Sequence, residues 1–406
     1  MNRRVAVTGI GMVTPLGIGK EAFAERLFGG DSGIAEITAF DTSRFPSHLG
    51  AEVKGFSARD FISLKNLRRM DRLSQMAVAS ARLALEDAGI TVDIANRDRI
   101  GIILGTAFGA TDIKSHCARI LFTDGPGMIN PILVPNTVMN APAGHVSIEF
   151  GIRGVNTTVN HHAASGETAI AYAVLEIQRG AADVVLAGGV DILSEFFFET
   201  LIHFRAVSPV DGREEGARPF DCRRNGPVAG EGSGIICLEA LDRAQDRGAV
   251  PYCEIAGWGM SSSPAGPTDW SDDPRGMVLA MERAIQSAGL APDDMDVIQA
   301  AANGGRNPDL VETEACRRFF ESAEKPFLTS MKGAVGESFS SGGIRAAALA
   351  LSMKEGKVPP TLGLTDPIKL LNIVTGRSMK TDIRFGLMNG ISYGGTNVSI
   401  VTKIIA

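Results

Sequence analysis

The chain has 406 residues, of which 44% are hydrophobic and 21% charged, with a net charge of −6. Such a composition fits a globular protein with room for a large core or two domain-sized halves, and it excludes the electrostatic footprint of a nucleic-acid or anionic-membrane binder. The scattered Cys117, Cys222, Cys237, Cys253 and Cys316 suit reduced thiols in a cytoplasm, and six histidines without an H-E-x-x-H pattern point to no metal and no cofactor.

Residues 5–12 alternate like a strand, follow Met-Asn-Arg-Arg without an apolar leader, and no later apolar run reaches membrane-spanning length. A short helix is expected over 20–27, then a polar stretch with Pro and Gly to about residue 54. Over 70–88, Leu73, Met76, Ala77, Ser80, Ala81 and Ala84 fall at helical spacing, with Gly89 as the cap. The run IGIILG at 100–105 reads as a buried strand leading into a Gly-rich loop at 105–110, and 134–150 reads as a helix from near Asn136.

The stretch 155–191 carries the clearest signal. Val155, Thr157, Thr158 and Val159 are β-branched and suit a strand. Ala-Ala-Ser-Gly at 163–166 then opens a helix bearing Ala169, Ile170, Ala173, Val174 and Ile177 on one face, and Gly180 closes it. Val184, Val185 and Leu186 form a buried strand that ends in Gly188-Gly189. A strand-to-helix elbow at 160–166 can aim a nucleophile at a helix N-terminus, where backbone N–H groups stabilise negative charge. The residue at that point is Ala163, which has neither a lone pair nor a proton to offer.

Beyond Gly230 the pattern repeats in kind: strands at 232–238 and 254–260, a helix at 277–288 closed by Gly289, and a strand at 297–301. A helix at 312–320, a strand at 327–330, a Gly/Ser loop, a helix at 344–353 and strands at 385–388 and 397–405 complete it. The chain thus reads as α/β, with two related halves at 1–229 and 230–406 fused without sequence repetition.

Four motifs join the elbow in order along the chain: VAVTGIGMVTPLG at 5–17, Leu186-Ala-Gly-Gly189, Ala217-Arg-Pro-Phe-Asp221 ahead of Gly230-Glu-Gly232, and NGISYGGTN at 389–397. Nearly end to end, they resemble the β-ketoacyl-acyl-carrier-protein synthases of the thiolase superfamily. The last matches that family's N-S-F-G-F-G-G-T-N loop. The resemblance implies a thiolase-like fold of two related layered α-β-α-β-α halves. It also implies four chemical groups: a cysteine that takes the acyl chain, two histidines that hold the malonyl thioester and its enolate, and a lysine.

On that resemblance the cysteine position is Ala163 and the lysine is Lys332. The second histidine has become Glu337. The first histidine falls on Ala301 in the ungapped match, and on Asn303 if the register slips by two. Chain-length factors, the ketosynthase β subunits of type II polyketide systems, form a branch with such silent sites, and the chain is similar to them. That branch often carries glutamine where this chain has Ala163, so aromatic, polyene and fatty-acyl products all stay open. The implied role is a silent subunit that pairs with an active ketosynthase, through the strand at 155–160, and helps set chain length on an acyl carrier protein. The alternatives are a divergent synthase using His161, His162 or Cys117, and a non-catalytic acyl-binding scaffold homodimer.

His161 and His162 read as packed or interface histidines, one pointing inward and one outward. Glu337 beside Lys332 reads as an ion pair filling a vacated cavity, and its charge opposes a malonyl carboxylate. Cys117 next to His116 reads as incidental, since sequence neighbours point apart, and Ser165 as a helix cap. Phe196, Phe197 and Phe198 read first as core or interface and second as tunnel lining. Tyr393 stands where the family has a gating phenylalanine.

Overall fold

The computed structural model describes residues 3–320, 326–369 and 371–405. Residues 1–2 of the opening segment lie outside them. Among the described residues, the path of the main sheet takes five strands from the first part of the chain: β1 (Val5–Thr14), β2 (Ile100–Gly105), β3 (Asn156–Val159), β4 (Val184–Asp191) and β5 (Gly232–Ala240). Five follow: β6 (Cys253–Ser262), β7 (Val297–Gln299), β8 (Phe327–Thr329), β9 (Phe385–Ile391) and β10 (Thr396–Lys403). They join one sheet in the order β8-β7-β9-β10-β6-β1-β5-β4-β2-β3, with the two-residue strand Gly17–Ile18 paired onto β1.

From either outer edge inward, each set runs through its third, second, fourth, fifth and first strand. The first three of these are mutually parallel and the last two antiparallel. Val5–Val7 of β1 pairs with Cys253–Ile255 of β6 and joins the two sets. This repeat assigns β5 to the first set, so the halves part between Ala240 and Cys253 and not at residue 230. The glycines near 230 introduce the last strand of the first half.

Three apolar clusters define the layers. Helix α1 (Lys20–Gly29) precedes α2 (Arg72–Ala88), which packs on the outer face of the first sheet half through Leu73, Met76, Ala77 and Ala84 against Ile102, Leu186 and Ile235. Two later helices, α7 (Arg275–Ser287) and α8 (Arg306–Phe319), cover the outer face of the second half. Between the halves lie α5 (Ser165–Gln178) and α9 (Gly342–Glu355), whose apolar residues share one core with β1, β4, β5, β6 and β10. Every residue of α9 from Gly342 to Met353 is buried, as a helix enclosed on all sides requires. The two inner helices touch at their N-termini. A Cβ on Gly166 would stand 2.7 Å from the Gly342 nitrogen, so only glycine fits. The α-β-α-β-α layering expected from the resemblance is present.

Several local expectations need correction. The helix expected over 134–150 is two pieces, a 3-10 turn at Val134–Thr137 and α4 (Ala141–Phe150), because Pro142 lacks an N–H and is tolerated only in a first turn. Helix α8 starts six residues earlier than expected, with Pro308 in its polar first turn. Among the helices without a clear sequence signal are α3 (Thr111–Thr123) and α6 (Glu195–His203), the latter capped by the Ser194 hydroxyl.

Candidate active site and its occupants

The elbow forms where expected. β3 ends at Val159, a 3-10 turn spans His162–Ala164, and α5 begins at Ser165. Ser165 does not cap the helix, because it is already the first helical residue and Ala164 holds the cap position. Its hydroxyl instead ties the turn together, accepting the His161 N–H at 2.9 Å and donating to the His162 carbonyl at 2.6 Å. Ala163 is buried, and its N–H donates to Ser392 Oγ at 3.1 Å.

His161 and His162 do not divide into one inward and one outward ring. Both are half-buried, since the turn takes His162 to φ 49° and out of strand alternation. His161 Nδ1 meets Thr168 Oγ1 at 3.2 Å, and the His162 ring stacks on Tyr393 with centroids 4.4 Å apart. Burial lowers the pKa of both, and for His162 the neighbouring His161 adds to it. Cys117 and exposed His116 stand on α3 and do not line the cavity described below.

Lys332 opens the short helix Lys332–Val335 after β8. Its Nζ donates to Glu337 Oε2 at 2.7 Å, and Asn303 Nδ2 donates to the same oxygen at 2.7 Å. The Phe339 N–H completes the set at Glu337 Oε1, 2.8 Å away. All three side chains are buried. A carboxylate with a cation and two further donors is the arrangement a buried charge requires.

Asn303, not Ala301, is therefore the residue facing Glu337. Ala301 belongs to the outer core with Met277, Met281 and Leu387, and its N–H donates to Glu312 Oε1 at 3.0 Å. The loop after β7 is fixed by two buried carboxylates, with Glu312 taking the Ala301 and Ala302 N–H groups and Asp309 those of Asn303 and Gly304.

Beside these groups lies a cavity of about 450 Å³, walled by Phe108, Phe197, Phe339, Trp270 and Tyr393 and reached by Asn303. Phe108 and Phe197 meet at 4.2 Å between centroids, Phe339 sits edge-on to both, and Tyr393 bridges His162 and Trp270. Burial, with the charges of Asp191 and Glu337, pushes the Tyr393 hydroxyl pKa upward. The three consecutive phenylalanines separate. Phe197 lines the cavity, Phe198 packs behind it on Phe40 and Phe45, and Phe196 is exposed, because helical neighbours diverge by about 100°.

Sequence reasoning missed Asp191, at the end of β4. It accepts from Thr106 Oγ1 at 2.9 Å and from the N–H groups of Ala107, Phe108 and Ser340, and so ties the strap after β2 to the loop before α9. Burial raises its pKa from 3.8 to about 6 and that of Asp309 from 3.8 to about 7, against the pull of the N–H donors. Both carboxyls therefore keep protons in the folded chain where the unfolded chain has lost them. Unfolding free energy is expected to fall as pH rises from about 4 to about 7. Urea midpoints across that range check it, and Asp309→Asn should flatten the slope. An unchanged slope would remove Asp309 from the account.

Comparison with known proteins now bears on this arrangement. One solved structure, "The ishigamide ketosynthase/chain length factor", is matched with a TM-score of 0.94 and 29% identity over all of both chains. A β-ketoacyl synthase from Burkholderia phymatum gives 0.92 and 28%, also over all of both chains. The fold is that of the thiolase-like ketosynthases. Residues 2–244 match the model of the β-ketoacyl synthase N-terminal domain and 252–365 that of its C-terminal domain, so the chain belongs to the β-ketoacyl synthase family. It is 34% identical to 3-oxoacyl-[acyl-carrier-protein] synthase 2 of Staphylococcus aureus (99% of this chain, 98% of that one) and 32% identical to the Vibrio harveyi protein of the same name (100% and 99%).

Proposed function

We propose that this chain is a catalytically silent ketosynthase-like subunit, which pairs with an active ketosynthase and helps set acyl or polyketide chain length on an acyl carrier protein. The observation that carries the reading is the state of the pocket. Ala163 offers no nucleophile, and Glu337 stands in place of an imidazole, with its charge already satisfied by Lys332 and Asn303. Whichever of Ala301 and Asn303 is matched to the first histidine, no imidazole stands there. A buried carboxylate at this point opposes both a malonyl carboxylate and an enolate.

Two further features support pairing. Among the described residues β3 is an edge strand with no strand paired on its outer side, and such an edge is a template for a partner's strand. Phe122, Val138 and Ile148, from the segments leading into β3, are exposed large apolar residues. The likeness to the ishigamide ketosynthase/chain length factor favours the same role here. We place the protein in the cytoplasm; no helix among the described residues is long and apolar enough to cross a membrane.

The names of the curated relatives favour a second reading, a divergent synthase acting alone. Co-expression with a cysteine-bearing ketosynthase from the same gene neighbourhood separates the two. A stable mixed dimer whose product requires both chains is the expected result. Turnover of acyl- or malonyl-carrier-protein substrate by the isolated chain would establish the synthase instead. A homodimer with no affinity for the ketosynthase would point to a scaffold.

A further inference from the structure

The donor at the elbow is in use. The Ala163 N–H points into Ser392 Oγ, and both residues are buried. Ser392 lies in the C-terminal loop, where the family's N-S-F-G-F-G-G-T-N pattern has glycine and therefore no side chain. The loop does not need the hydroxyl for its own shape. Its closure is by backbone, from the Ser392 N–H to the Thr396 carbonyl at 2.9 Å and from the Gly395 N–H to the Ser392 carbonyl at 3.0 Å. At φ −135° and ψ 150°, residue 392 is in extended backbone open to any amino acid.

Acyl transfer at residue 163 would place negative charge on a carbonyl oxygen next to that residue's own N–H, and such a donor acts only if it is free to receive the oxygen. We infer that Ser392 is a built-in occupant of the elbow's backbone donor, so that the site is closed to an oxyanion as well as lacking a nucleophile. This rests on the silent-subunit reading and deepens it. Loss of activity here has two locks, and restoring a thiol opens only one.

The test uses the full chain carrying Ala163→Cys, alone and combined with Ser392→Ala, and hexanoyl-N-acetylcysteamine as acyl donor. The introduced thiolate attacks the thioester carbonyl and a new C–S bond forms. The oxyanion collapses and expels N-acetylcysteamine thiolate, which takes up the proton the introduced thiol released. Acylation followed by intact mass is expected to be at least about tenfold faster in the double variant, since one oxyanion donor is worth about 100-fold or more. Alkylation by iodoacetamide, which develops no oxyanion, should differ by less than about twofold and so reports access alone.

Equal acylation rates, a parallel rise in both reactions, or slower acylation in the double variant would each overturn the inference. The last would mean that the hydroxyl serves as a donor. Ser392→Gly provides a second form should the alanine variant fold poorly. Turnover by the unaltered chain without a partner would sink the silent-subunit reading while leaving the acylation comparison intact.

Discussion

Replacing Arg345 with methionine is expected to cost about 3–5 kcal/mol of folding free energy, read as a lower urea midpoint at constant slope. Arg345 is the largest fully buried side chain among the described residues, and it stands where the inner helices meet the sheet. Its Nη1 pairs with Glu167 Oε1 of α5 at 2.5 Å, while Nη2 donates to the Gln299 carbonyl at 3.0 Å and to the carbonyl of Asn389. One guanidinium thus joins α9 to α5, β7 and β9. Burial pushes the Glu167 carboxyl upward in pKa, and the Arg345 charge is the largest force holding it down. Without Arg345 that carboxyl takes up a proton more readily, so the loss should be smaller near pH 5 than near pH 8. Arg345→Met combined with Glu167→Gln should recover part of it. A double variant as unstable as the single one would assign the effect to the orphaned carbonyls and not to the uncompensated charge.

What could be read in advance divides by the range of the interaction. The elbow was legible because β-branched residues, a run of small residues and helical spacing are local features, and Ala163 followed from the motif around it. Spacing to Asp309 and Glu312 favours Ala301 for the first-histidine position, and Asn303 is reached only by a two-residue slip. What spacing does not give is the side-chain placement: Glu312 takes the N–H of Ala301 and Asp309 that of Asn303, and the Asn303 amide is aimed at Glu337. Ser392 and Ala163 are 229 positions apart, and Asp191 and Ser340 are 149 apart, so no window of sequence contains either contact. The boundary between the halves was misplaced for a related reason. Turn residues near 230 mark a strand's start, but which half owns the strand depends on its pairing with β1 and β4.

The Lys332–Glu337 pair yields the other large effect and the sharper functional discrimination. Glu337→Gln leaves an ammonium buried without a counter-charge, and Lys332→Met leaves a buried carboxylate, so each is expected to cost about 3–5 kcal/mol. Combined, the two changes remove both charges. Glutamine at 337 can still accept from Asn303 but leaves one of the remaining donors short, so recovery should be incomplete. A double-mutant cycle is expected to show a favourable coupling of about 2 kcal/mol or more. Coupling near zero would mean that the two side chains are held independently, against the 2.7 Å contact between them. If the pair fills a vacated pocket, the combined variant should still support product formation when dimerised with an active ketosynthase. If Lys332 and Glu337 were an acid–base pair of a divergent synthase, the same variant would lose turnover by about 100-fold or more. The measurement is product per assembled dimer, with dimer content fixed by size-exclusion chromatography. Stability and chemistry then give separate answers from one pair of substitutions.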